Sequence, residues 1–183
     1  MPLSPQPAAD FDRWVAEHVA VLYRVAYRLL GSQHDAEDVV QDAFRSAWMS
    51  RHLYDRTRSE RAWLLAILRR RVADLWRRRK TRPEVPHGEL DQPGGANADP
   101  FADELSANMQ RALDRLPLEL RETLLLVVVG ELTHQEAATL QGIPLGTVLS
   151  RVSRARSRLR TYVLEAPDAG ALPARGAAGS RLT

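Results

Sequence analysis

Apolar residues recur at three- and four-residue intervals along most of this chain, the period of helices with one buried face. The first such run is Phe11, Trp14, Val15, Val19, Leu22, Ala26, Leu29 and Leu30, with Asp10 placed to cap it and Gly31 to end it. Ser32 then caps a second helix, and Asp35 at the third position complements the dipole and completes a capping box. Ala36, Val39, Val40, Ala43, Phe44, Ala47 and Trp48 form its inner stripe. A polar loop over residues 50–58 leads to a third helix over 59–80, whose buried side is Leu64, Ile67, Leu68, Val72 and Leu75.

A fourth helix spans 105–116 on Leu105, Met109, Ala112, Leu113 and Leu116. Pro117 opens a fifth over 118–129, with a run of leucines and valines fit for a core, and Gly130 stops it. Residues 132–160 predict two short helices around a tight turn. Thr133 and Glu136 make a second capping box, and Gly142 and Pro144 force the chain to turn. The last helix begins near Gly146 or Thr147 and places Val148, Val152, Ala155, Leu159 and Val163 on one narrow face. Thr147, Ser150, Arg151, Arg154 and Arg158 gather on the other. The expected fold is all-α, with two small helical domains and a helix-turn-helix in the second.

Charge sharpens this picture. The 183 residues carry a net charge of only +3, unevenly distributed. Residues 69–82 hold eight basic groups and one acid, whereas 83–105 hold six acids and no Lys or Arg. The acidic stretch also lacks apolar periodicity and is rich in Pro, Gly, Asp and Asn, as expected of a flexible linker over 83–104. It separates a domain over 10–82 from one over 105–164, with unstructured ends at 1–9 and 165–183. There is no cysteine, which excludes a disulfide framework, a thiol nucleophile and a Cys-based zinc site. Neither a signal-peptide pattern nor a membrane-length apolar run is present, and a cytoplasmic location with no membrane insertion is expected.

Three faces carry candidate chemistry. The last helix has five arginines and no carboxylate between residues 145 and 164, backed by an apolar stripe, as a major-groove reader requires. On the third helix, Trp63 shares a side with Arg70 and Arg77, and Arg78 belongs to the basic run at its end. An aromatic ring beside guanidinium groups suits stacking on an unpaired base, and cover by the preceding loop is the alternative for Trp63. The second helix turns Glu37, Asp38, Gln41, Asp42 and Arg45 outward. With His34 nearby, that cluster admits a metal-dependent nuclease. Outward-facing carboxylates without a second histidine at ligand spacing argue against it, and a docking face for a basic partner or plain solvation explains the same residues.

In order and spacing, DAEDVVQDAFRSAW at 35–48, WLLAILRRRVADLWRRRK at 63–80 and the helix-turn-helix block from Leu116 resemble the extracytoplasmic-function (ECF) sigma factors of bacteria. The resemblance covers roughly residues 15–163. It implies a subunit without cofactor or catalytic chemistry that directs RNA polymerase core to promoters. Asp38, Gln41 and Asp42, flanked by Asp35 and Glu37, would dock on the polymerase clamp, and a second contact would be made at the flap. Trp63, Arg70, Arg77 and Arg78 would serve the minus-10 element. At the minus-35 element, the resemblance gives Ser150, Ser153 and Arg154 base edges and Arg151, Arg156 and Arg158 phosphates, with Thr147 alongside. A cognate anti-sigma factor is a further implied partner. Two positions depart from the family pattern: Arg70 stands where Asn is common, and Leu149 where a basic residue is common. A stand-alone helix-turn-helix regulator, with the first half as a sensing or dimerisation domain, is the alternative reading.

Overall fold

Pro7 has the fixed φ that suits the first position of a helix, and α1 (Pro7–Leu30) starts there, before Asp10. Residues 7–9 are therefore helical, a correction to the unstructured start expected over 1–9. The computed structural model describes residues 7–81 and 107–165. The proposed linker at 83–104, Leu105, and all of the proposed tail but Glu165 lie outside the described residues. Glu165 itself is the last residue of a helix.

Ser32 caps α2 (Gln33–Ser50) by accepting from the Asp35 backbone N–H at 3.3 Å. The reciprocal half of the expected box is absent, because the Asp35 carboxylate is drawn to Arg79 at 2.6 Å. A charge-assisted bond outcompetes a local contact here. After α2 comes a single 3-10 turn at Arg51–Leu53, where Arg51 lies 3.8 Å over the Trp48 ring and donates to the Trp48 carbonyl at 2.6 Å. Then α3 (Glu60–Thr81) begins, with the Ser59 hydroxyl accepting from Ala62 N–H at 3.2 Å.

Alanines on α2 let the first three helices approach closely: Ala36, Ala43 and Ala47 are fully buried, as are Leu22 and Ala26 of α1 and Leu64, Leu65 and Leu68 of α3. Aromatic edges fill one end of this bundle, where Trp14 meets Tyr54 at 5.0 Å and Trp63 at 5.5 Å. Beside them His18 is 6% exposed, with its Nε2 3.7 Å from Glu60, which Arg13 holds at 2.6 Å.

The second group comprises α4 (Ala107–Asp114), α5 (Leu118–Val128), α6 (His134–Gln141) and α7 (Leu145–Glu165), with α5 and α6 packed on α7. Leu120, Leu124, Leu125, Leu126, Val148, Val152 and Ala155 are its core. The described residues contain helices and turns and no strand. The two groups touch: α5 lies against α1 and α6 against α3, and one hydrophobic core runs through both. Arg61 pairs with Glu131 and Arg69 with Glu122 across this boundary. Gly130 sits at this boundary, where an added Cβ would lie 2.6 Å from the Leu126 carbonyl oxygen and 2.9 Å from a Leu65 methyl. Leu65, unassigned by the helical pattern, is buried by this contact.

Burial, and secondarily the positive field of Arg61, holds the His18 imidazole below its ordinary pKa of 6.5, while Glu60 opposes the shift. A depressed folded value means that the unfolded chain binds the proton first. The stabilisation from neutral His18 is complete above pH 6.5 and is lost as pH falls through the folded value. Thermal melts should therefore show Tm falling between pH 7 and pH 5, and the H18L variant should have a shallower slope over that interval. Equal slopes would remove His18 from the account.

Candidate nucleic-acid interface and docking face

The last helix, α7, is set by chemistry on either side of the turn. Thr133 Oγ1 accepts from Glu136 N–H at 3.2 Å and the Glu136 carboxylate accepts from Thr133 N–H at 2.8 Å, a complete capping box for α6. Gly142 ends α6 at φ +66°, a left-handed conformation that costs glycine little. Pro144 then launches α7, and its carbonyl accepts from Thr147 and Val148 N–H at 2.9 and 3.2 Å. Helix α7 thus starts at Leu145, one residue ahead of Gly146. Val148, Val152 and Ala155 lock its inner face into the core.

Ser150, Ser153, Arg154, Arg156 and Arg158 are all exposed on α7. Arg154 rests on its own helix, donating through Nε to the Ser150 carbonyl at 3.3 Å and through an Nη to the Ser150 hydroxyl at 3.2 Å. Ser150 in turn donates to the Thr147 carbonyl at 2.9 Å. Arg156 and Arg158 hold no ion pair among the described residues. Thr147 and Arg151 are only partly exposed, and Arg151 reaches back to Gln141 at 3.4 Å, where Thr123 also bonds at 3.0 Å. Arg151 thus sits at the flank of the exposed face.

On α3, Arg70 is exposed and lines a shallow cleft with Arg45, Met49, Ile67 and Arg71. Arg77 pairs with Asp74, Arg79 with Asp35, and Arg78 lines the neighbouring groove between α2 and α3. Trp63 is only partly exposed, packed 5.1 Å from Tyr54 of the preceding loop as well as against Trp14. Arg70 and Arg77 are thus exposed on α3, Arg78 lies in the groove that faces α2, and Trp63 belongs to the aromatic cluster.

The acidic residues of α2 divide in the same way. Asp35 has a side chain only 14% exposed and is tied to Arg79, whereas Asp38 is 61% exposed and lies 3.5 Å from His34. Asp42 meets Arg45 at 2.8 Å, Glu37 accepts from Gln33 at 2.9 Å, and Gln41 is exposed. Asp38 and Asp42, one turn apart, rim the groove that also contains Arg78. Among the described residues, the acid and imidazole groups that converge are elsewhere: Glu17, His18 and Glu60 offer ligand atoms within 4.8 Å of one another. Arg13 already binds both of those carboxylates, at 3.0 and 2.6 Å, and supplies the positive charge. No helix among the described residues is long and apolar enough to cross a membrane.

Comparison with known proteins agrees with this layout. Sigma-70 region 2 matches residues 14–82 and Sigma-70 region 4 matches residues 106–159. The chain is 36% identical over 159 residues to the ECF RNA polymerase sigma factor SigE of Mycolicibacterium smegmatis, covering 84% of this chain and 62% of that protein. It therefore spans somewhat less than two thirds of that relative's length. The ECF RNA polymerase sigma factor RpoE of Cereibacter sphaeroides is 36% identical over 131 residues, covering 70% of this chain and 72% of RpoE. Among solved structures, the sigma factor RpoE of Bartonella quintana, in complex with the anti-sigma factor NepR, superposes with a TM-score of 0.74. That pair is 27% identical, over 85% of this chain and 98% of the other. The region 2 match occupies the half of the chain that a stand-alone regulator would need for sensing or dimerisation. Both halves being accounted for in this way, the chain belongs to the ECF sigma factors of the sigma-70 family.

Proposed function

We propose that this sigma factor divides its work among three surfaces: Asp38, Gln41 and Asp42 of α2 dock on a basic surface of RNA polymerase core, Arg70, Arg77 and Arg78 of α3 hold the minus-10 strand, and the exposed face of α7 reads minus-35 duplex. The observation that carries the reading is the segregation of charge on a rigid frame. Exposed carboxylates line α2, and α7 presents Arg154, Arg156 and Arg158 with no acid between residues 145 and 164. A carboxylate row repels DNA and attracts a basic protein, whereas an arginine row does the reverse.

Promoter opening on this reading needs no bond-making chemistry from the sigma factor. Unpaired bases are captured and their phosphates held, which offsets an unstacking cost of a few kcal/mol per base. Trp63 acts by supporting α3 from the aromatic cluster, and Asp35 by anchoring the end of α3 through Arg79. Two modest DNA readers fixed on one enzyme gain from effective concentration, which fits a net charge of only +3. A protein with this task works in the cytoplasm, with the polymerase. An anti-sigma factor, such as the one bound to the Bartonella relative, is a further expected partner.

Gel filtration with purified core polymerase tests the docking. The full chain should co-elute with core at low micromolar concentration, and elution of the two as separate peaks would reject the reading.

A further inference from the structure

Two large apolar side chains stand exposed at the start of the reading helix. Leu145 is 40% and Leu149 48% exposed, one turn apart, while Val148 beneath them is fully buried. Single exposed leucines are ordinary on a protein surface. These two lie on a surface otherwise built from hydroxyls and guanidinium groups: Ser150 and Ser153 are their exposed neighbours, and Arg156 lines the same shallow groove as Leu149, Ser153 and His134 of α6. By helical turn, residues 145, 149 and 153 form one row, and 156 and 160 continue it towards the C-terminus. The row is thus apolar where the helix begins and cationic where it ends.

From this arrangement we infer that Leu149 is a specificity residue that reads the C5-methyl group of a thymine in the minus-35 element. The inference rests on the reading above in which α7 enters the major groove. The chemistry commits it to one occupant. Flanking arginines without a carboxylate attract a polyanion, and the apolar feature that a polyanionic duplex displays in its major groove is the thymine methyl. Leu149 has no donor or acceptor, so it cannot satisfy a cytosine amino group or a guanine oxygen that it desolvates. A base pair presenting such a group at that position is disfavoured. Arg156 and Arg160, further along the row, are free to hold the phosphates on either side.

The test exploits uracil, which keeps every hydrogen-bonding group of thymine and lacks only the methyl. Full-length protein assembled with core polymerase is titrated with promoter DNA in which each minus-35 thymine is replaced by uracil in turn. One position should weaken wild-type binding about fourfold, the burial of one methyl group. L149A should bind the thymine promoter with a similar loss and become indifferent to uracil there, while L149M should retain the discrimination. If no uracil position distinguishes wild type from L149A while R154A still weakens minus-35 binding, Leu149 does not read a methyl, although α7 still reads the element. If neither L149A nor R154A changes dependence on the minus-35 sequence, the underlying placement of α7 fails and the inference with it.

Discussion

Replacing Asp38 and Asp42 together by lysine is expected to lower affinity for core polymerase on the order of a hundredfold, with no loss of fold. The two carboxylates are one turn apart on α2 and rim one groove, so a single basic partner surface meets both. Within the chain their partners are His34 at 3.5 Å and Arg45 at 2.8 Å, both on the same exposed surface. Such local pairs contribute little to stability, and the melting temperature should stay within a few degrees. Across an interface the arithmetic is different, because each reversal removes an attraction and adds a repulsion, and a few kcal/mol in total is the usual outcome. Fluorescence titration of labelled protein with core enzyme measures it. Asp35 needs separate treatment: its side chain is only 14% exposed and is tied to Arg79, so a loss of binding in D35K would report a displaced α3 rather than a broken contact.

Alanine at Arg154 should cost about 1–3 kcal/mol of binding to the cognate minus-35 element and relax preference at the base pair it reads. The physical ground is its present bonding. The Arg154 guanidinium rests on the Ser150 carbonyl and hydroxyl at 3.3 and 3.2 Å, on the exposed face of the helix. These are weak contacts that a guanine edge can replace with two good ones. R156A and R158A should behave differently. With no ion pair among the described residues and lying further along α7, they would weaken all sequences alike and reduce the salt dependence by about one counterion each. Binding isotherms of the assembled holoenzyme at several salt concentrations, on cognate and mismatched promoters, separate the two behaviours. A uniform loss in R154A would demote it to a phosphate contact.

Local chemistry made much of this legible before any coordinates. Thr133 with Glu136, Gly142 and Pro144 each act on residues within four positions, and the helix-turn-helix they imply is the one observed. The buried stripe of α2 follows the pattern at Ala36, Val39, Val40, Ala43, Phe44 and Ala47, while Trp48 at its end is only partly buried, beneath Arg51. What escaped sequence reasoning depends on distant partners. Arg13 with Glu60, Arg61 with Glu131 and Arg69 with Glu122 are separated by 47 to 70 residues, and nothing in a helical period selects one glutamate among many. Asp35 follows the same logic. Its position at the start of α2 favours a local cap, and only the fold reveals that Arg79 is closer to hand.

Trp63 and Leu65 show the limit at apolar positions. Period alone puts Trp63 on the outer side of α3, but Trp14 and Tyr54, from two other segments, cover it. Leu65 lies off the main stripe and is buried because Gly130 lets α3 and the end of α5 come together. Glu131, next to that glycine, takes φ 54°, uncommon for a residue with a side chain, and is held there while its carboxylate pairs with Arg61. This boundary is therefore built from residues that no amphipathic template would single out.

Promoter direction by this chain is tested most directly by in vitro transcription from fragmented genomic DNA with core polymerase and the protein, followed by mapping of the transcript starts. New start sites that share a two-part upstream motif and disappear with the Asp38 and Asp42 double reversal are expected. Starts that are the same with and without the protein, or that persist with the double-reversal variant, would contradict that role.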